Sequence, residues 1–217
     1  MAETTELART TIYRQLRADI LSCSLRPGSQ IQERDLIERF AVSKSPIRDA
    51  LLKLEEQNLI EILPRKGYRV KPVSLTVARE LYDMRVILER ECASRAMDQS
   101  DAHLKGLDAY RIGPDSDDLS DWIAYNRHFH IAIADLSGNA RLTSVARDVI
   151  EQFDRLTYTS VSLTGPKGQA RFVSEHVAII DALQQRDRRY ALSHAKDHVE
   201  DARRVVLGTL ENPTIVP

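Results

Sequence analysis

Glu33-Arg34-Asp35-Leu36-Ile37-Glu38-Arg39-Phe40, then Ala41-Val42, then Ser43-Lys44-Ser45-Pro46-Ile47-Arg48-Asp49-Ala50-Leu51-Leu52-Lys53-Leu54-Glu55-Glu56-Gln57-Asn58-Leu59 is the stretch that decides the fold. It predicts a short amphipathic helix, a tight turn and a longer second helix whose apolar residues Ile47, Ala50, Leu51 and Leu54 fall on one face. Ser43 or Ser45 is placed to cap the second helix, and Pro46 fits its first turn, where a missing N–H costs little. The opposite face of that first turn carries Lys44, Ser45, Arg48 and Asp49. Two such helices also occur in many all-α proteins, and cations at a helix start are often only a solvated face. They equally suit a helix that enters a DNA major groove by its first turns.

Residues 60–71 decide between these two possibilities. Ile60-Glu61-Ile62-Leu63-Pro64, Arg65-Lys66-Gly67 and Tyr68-Arg69-Val70-Lys71 make two short β runs joined by a basic turn, a wing with Arg65 and Lys66 at its tip. Gly67 permits a turn or a close approach of the backbone to a phosphate. Upstream, Leu7, Ile12, Leu16 and Ile20 recur at helical spacing over about 5–24, with Arg26-Pro27-Gly28 as the stop, and Ile31 begins a brief extended segment able to complete the wing sheet. The fold class expected is mainly α: an N-terminal winged helix-turn-helix domain over 1–74 and a C-terminal antiparallel α-helical bundle over 75–217.

Residues 9–71 resemble the DNA-binding domain of the GntR family of bacterial transcription regulators. Leu25-Arg26-Pro27-Gly28, Glu33-Arg34-Asp35-Leu36, Val42 to Leu51, Leu54-Glu55, Asn58-Leu59-Ile60 and Arg65 to Val70 carry the likeness. The resemblance implies DNA contacts from Arg34, Lys44, Ser45, Arg48 and the wing at Arg65, Lys66 and Gly67, with Ser43 beside them at the helix start. One departure is Asn58, where the family usually has Gly. Asn tolerates a left-handed backbone better than most residues, so the helix end is expected to survive.

Net charge is −1, with 31 Lys and Arg against 32 Asp and Glu. The charge is unevenly divided: residues 1–74 carry 13 cations against 10 acidic groups, leaving an acidic remainder. So small an excess calls for cations gathered on one face and two such domains acting together. No apolar run approaches the ~18 residues that cross a bilayer, and Glu3 and Glu6 stand where a secretory signal would carry cations, so a cytoplasmic protein is expected. Cys23 and Cys92 have neither metal-ligand spacing nor a framework, and read as small buried hydrophobes.

Beyond a linker at 72–74, capped by Ser74 or Thr76, the pattern is helical throughout. Long helices are expected to about Met97, from Leu119 to Leu136, from Arg141 to about Leu163, from Gln169 to Gln185 and from Asp187 to Leu210. Between 101 and 118 lie a short helix and a loop. Gly165-Pro166-Lys167-Gly168 is expected as a break, and 212–217 as a loose tail.

Asn126 and His130 are four apart and share a helix face, while His176 and His198 sit on two further helices. Side chains from three helices converging in a bundle build metal sites, although scattered histidines are more often ordinary surface or core residues. Asn126 to His130, Ser137 to Leu142, Glu175 to Leu183 and Ala195 to His198 resemble the FCD effector domain that accompanies one GntR subfamily. That resemblance implies a divalent transition metal, zinc or nickel, held by Asn126, His130, His176 and His198. The amide of Asn126 replaces a carboxylate with a neutral oxygen and holds the ion less tightly. Open metal positions suit a small carboxylate such as a sugar acid or dicarboxylate, and Arg85 matches a family arginine whose fork takes one. The other reading of Arg85 is an ion pair with Glu89, one turn on.

The function expected is a homodimeric, ligand-responsive repressor that reads palindromic operator DNA, modulated by a small organic acid. The alternatives are a regulator sensing the metal itself, or a metal-dependent hydrolase or isomerase. Against the enzyme, there is no phosphate loop, nucleophile elbow or dinucleotide fingerprint, and no base placed by motif beside the histidines.

Overall fold

Helix α2 (Glu33–Phe40) and helix α3 (Lys44–Glu56) meet across a turn in which Ala41 takes a left-handed backbone, φ 51°. The computed structural model describes residues 2–164 and 168–211. Ser43 holds the cap position of α3 with an extended backbone, yet its hydroxyl makes no cap bond. Pro46 leaves fewer partners for it: a cap oxygen accepts from the second or third N–H of the helix, and Pro46 removes the third. Ser43 and Ser45 are both exposed.

Helix α1 (Ala2–Leu21) ends earlier than expected. Cys23, left-handed at φ 58°, turns the chain, and Leu25 donates its N–H to the Asp19 carbonyl at 2.8 Å. Arg26-Pro27-Gly28 makes the next turn instead, closed by Ser29 N to Arg26 O at 3.0 Å with Gly28 at φ 82°. Strands β1 (Gln30–Ile31), β2 (Ile60–Leu63) and β3 (Gly67–Val70) form an antiparallel sheet in the order β1-β3-β2, so the segment at Ile31 does complete the wing. Asn58 is left-handed at φ 57°, as the missing Gly requires, and its side chain accepts from Lys71 Nζ at 2.9 Å.

At the wing tip Lys66 N bonds Leu63 O at 2.9 Å, and Arg65 takes the positive-φ position, 65°, of that turn. Gly67 is needed for a different approach from the one expected. A Cβ there would stand 2.7 Å from the Ile31 carbonyl of the neighbouring strand. The core beneath comprises Ile12, Leu16, Ile20, Ile47, Leu51, Leu54, Ile60 and Val70, all buried. Each such aliphatic side chain contributes roughly 1.5–3 kcal/mol.

Residues 1–73 form one compact unit and 74–217 a second. The second comprises α4 (Leu75–Ala96), α5 (Asp101–Lys105), a 3-10 turn (Gly106–Tyr110), α6 (Leu119–Asp135), α7 (Ala140–Thr164), α8 (Gln169–Gln184) and α9 (Arg188–Leu210). Ser74 caps α4 through Val77 N, and Asp187 caps α9 through Tyr190 N. Helix α4 packs along α9, and α6 along α7. Most of the break expected at 165–168 and the whole tail at 212–217 lie outside the described residues. Cys23 and Cys92 are buried and not joined in a disulfide, and burial, with Glu89 and Glu91 adding to it, pushes the Cys92 thiol up to about 12. Among the described residues no helix is long and apolar enough to cross a membrane.

Candidate nucleic-acid interface and metal centre

In the first unit every expected DNA-contacting residue except Gly67 is exposed: Arg34 on α2, Ser43, Lys44, Ser45 and Arg48 at the start of α3, and Arg65 and Lys66 at the wing tip. Gly67 is half-buried against β1. Lys44 and Arg48, the two cations at the start of α3, are gathered by a carboxylate to which sequence reasoning assigns no role. Glu33 accepts from Lys44 Nζ at 2.9 Å, from Arg48 Nε at 3.0 Å and from the Tyr68 hydroxyl at 3.3 Å. Burial raises the Glu33 pKa, but the bonds from Lys44 and Arg48 outweigh it and hold the group below the usual carboxylate range.

Glu33 thus ties α2, α3 and the wing together. Gln32 adds a second tie, its side-chain amide donating to the Lys66 carbonyl at 3.0 Å. Lys44 and Arg48 side chains remain 55% exposed, and exposed pairs of this kind are worth about 0–1 kcal/mol. The cations are held in place by pairs that cost little to give up.

In the second unit His130 of α6, His176 of α8 and His198 of α9 converge, all buried, with one ring nitrogen of each within 4.8 Å of the others. The partners of the outer nitrogens define the chemistry. His198 Nδ1 lies 2.9 Å from Glu175 Oε2, and His130 Nδ1 lies 2.8 Å from Glu89 Oε2, the latter outside good hydrogen-bond angles. His176 Nδ1 is 3.1 Å from the Tyr125 oxygen, whose own proton goes to the Tyr110 carbonyl at 2.8 Å. Assigned from these partners, each Nδ1 carries the hydrogen and each Nε2 a lone pair.

The His130 and His198 Nε2 atoms then face each other at 3.2 Å, and His176 Nε2 is buried with no partner. Lone pairs in that arrangement repel unless a cation joins them. Nitrogens bound tetrahedrally at ~2.0–2.1 Å from zinc would stand about 3.3 Å apart, close to this pair. The donor set fits a divalent metal, and the carboxylates on the far nitrogens are the supports that orient such ligands.

Burial lowers the pKa of His130 to about 3, with Glu89 opposing and Arg85 reinforcing the shift, and burial drives His176 well below its usual 6.5. Both stay neutral at neutral pH, as ligation requires. Their folded pKa values lie below the unfolded one, so the unfolded chain takes up protons that the native chain refuses. The metal-free protein is therefore expected to lose stability as pH falls from 6.5 towards 3. Urea midpoints in chelator at about pH 7.5, 6 and 5 check this, and a flat profile would contradict it.

Asn126, one turn before His130, is half-buried and lines a cavity of about 60 Å³ together with Arg85 and His198. Of the two readings of Arg85, the ion pair with Glu89 is present. Its Nε pairs with Glu89 inside the protein, its guanidinium lies over the Phe153 ring at 4.6 Å, and it also lines the cavity. His103 and His128 are exposed, and His194 stacks on Tyr190. Sequence reasoning misses Glu175 and Tyr125 as supports of the histidines, and meets Glu89 only as the partner of Arg85. Adjacency of Glu175 to His176 is the one local signal, and it points to the wrong histidine.

Residues 8–70 match the bacterial regulatory proteins of the gntR family, and residues 80–201 match the FCD domain. The chain is 29% identical over 214 residues to the HTH-type transcriptional repressor RspR of Escherichia coli strain K12, covering 93% of this chain and 91% of that protein. It is 30% identical over 207 residues to the uncharacterized HTH-type transcriptional regulator YdfH of Escherichia coli O6:H1, covering 89% and 88%. The fold is similar to that of Escherichia coli McbR/YncC, TM-score 0.83 at 18% identity over 94% of this chain and 99% of that one. It is also similar to a putative GntR transcriptional regulator from Rhodococcus sp. RHA1, TM-score 0.77 at 24% identity over 92% and 97%. The chain belongs to the gntR family of bacterial regulatory proteins and carries an FCD domain: it is a DNA-binding transcriptional regulator and not an enzyme.

Proposed function

We propose that the protein is a homodimeric repressor whose operator affinity is set by a small carboxylate bound at a zinc- or nickel-type centre in its helical unit. Residues 1–74 act as the DNA-binding domain, through Arg34, Ser43, Lys44, Ser45, Arg48, Arg65, Lys66 and Gly67, and 75–217 as the effector-binding and dimerisation domain. His130, His176 and His198 are the metal ligands, with Asn126 as a neutral fourth donor. Arg85 receives the effector carboxylate with the nitrogens of its fork that do not engage Glu89.

The observation that carries the reading is the convergence of three buried histidine rings in the bundle core, with the Nε2 atoms of His130 and His198 3.2 Å apart and His176 Nε2 buried without a partner. A repressing role is supported by the likeness to RspR, and a paired operator by the modest charge of one DNA-binding unit. Dimers of this kind set two recognition helices about 34–36 Å apart, or a multiple of that. The bound metal supplies a Lewis-acidic position; the chain's own residues orient it and close the cavity around the ligand. Fluorescence anisotropy on the operator, with zinc-loaded and chelator-stripped protein, tests the scheme: a carboxylate effector should release DNA only from the loaded form. Equal release from both forms would remove the metal from the scheme, and no release by any carboxylate would remove the effector.

A further inference from the structure

Gln32 stands at the cap position of α2 and does not cap it. Its backbone is extended, φ −105° and ψ 132°, as a cap residue's is, yet its side chain makes no bond to the helix. Ser, Thr, Asp and Asn are the side chains that reach the free N–H groups of a first turn, and Gln is not among them. Here the amide goes elsewhere: its Nε2 donates to the Lys66 carbonyl at 3.0 Å, a residue 34 positions on.

Strands β2 and β3 pair over four positions, from Ile60 with Val70 to Leu63 with Gly67, but β1 meets β3 only at Gln30 with Arg69 and Ile31 with Tyr68. The three-stranded part therefore ends one pair short of Gly67, and the turn that carries Arg65 and Lys66 projects past it. A two-stranded ribbon is marginal by itself. The Gln32 amide carries the hold of β1 one bond further, onto the backbone of the tip. Gly67 leaves the room for it, since a Cβ there would stand 3.1 Å from Gln32 Oε1. The next residue, Glu33, accepts from Tyr68 in the wing and from Lys44 and Arg48 in α3. Two consecutive residues thus tie the wing tip to the start of α3.

From this arrangement, and resting on the proposed DNA contacts of the wing, we infer that Gln32 is a positioning residue for DNA recognition. It leaves α2 uncapped and latches the wing tip, so that Arg65 and Lys66 meet the duplex in register with Lys44 and Arg48. Gln32 acts through the wing and needs no contact of its own with DNA. A tip fixed before docking has less freedom to lose on binding, so the latch strengthens what the two wing cations contribute.

Anisotropy titrations of the full chain test the inference, on a duplex that the parent protein selects from a randomised pool. Gln32→Met keeps the length of the side chain without its donor, and Gln32→Ser supplies a cap for α2 without the reach to Lys66. Both should weaken binding by about two- to tenfold, the scale of one hydrogen bond lost. Gln32→Ser should nevertheless unfold in urea no earlier than the parent, which separates the latch from helix stability. Arg65→Ala and Lys66→Ala should each cost less in the Gln32→Met background than in the parent, because the two changes remove parts of one device. Equal costs in both backgrounds, or undiminished binding by Gln32→Ser, would overturn the latch and leave the wing contacts standing. No loss from either Arg65→Ala or Lys66→Ala in the parent would overturn the wing contacts, and the latch with them.

Discussion

Zinc-saturated protein should unfold roughly 8–16 °C above the same protein in chelator. At a free ion concentration about a thousandfold over Kd, a ligand that binds only the native state adds about 4 kcal/mol. For a chain of this size each kcal/mol moves the midpoint by about 2–4 °C. The effect has a local origin, because the ion replaces the repulsion between the His130 and His198 lone pairs and gives the buried His176 Nε2 a partner. His176→Ala should abolish the zinc-dependent shift, whatever it does to the metal-free midpoint. Glu89→Gln and Glu175→Gln should keep a shift but weaken zinc binding by about 10–100-fold, the usual cost of losing a support that orients a ligand. Scanning calorimetry with parallel metal analysis reads all of these. Identical midpoints with and without zinc, in protein that retains no metal through purification, would remove the metal centre.

Arg48→Ala should weaken operator binding by about 1–3 kcal/mol for each half-site from which the guanidinium is removed. Arg48 and Lys44 stand at the leading turn of α3, exposed and pre-positioned by Glu33, so their transfer to DNA gives up only weak surface ion pairs. If Arg48 meets a phosphate, the slope of log affinity against log salt should fall by about one per phosphate engaged, whereas pairing with a base would change sequence preference and leave the slope nearly unchanged. Glu33→Gln releases both cations while leaving them exposed. It should lower specificity between operator and random duplex more than it lowers affinity for random duplex. Binding by Arg48→Ala indistinguishable from the parent in anisotropy titrations across salt would contradict the placement of α3 at the DNA.

Much of the first unit is legible because its signals are local. Periodicity places α2 and α3, a basic turn between β runs places the wing, and Asn58 takes the left-handed position open to it. The departures there have both local and distant causes. Pro46 removes one of the two N–H groups within reach of the Ser43 hydroxyl. Cys23 ends α1 before the Arg26-Pro27-Gly28 turn is reached. The Ile31 carbonyl, from a strand distant in sequence, is what demands Gly67.

In the second unit the amino-acid sequence by itself determined the helices, their caps and the one-turn spacing of Asn126 and His130, since each arises from residues within a few positions of one another. Only the tertiary structure decided that His130, His176 and His198 turn their Nε2 atoms inward together and that Glu89, Glu175 and Tyr125 occupy the far nitrogens. The rotation of each helix about its own axis is set by packing against the others, and a ligand set drawn from three helices depends on all three rotations at once.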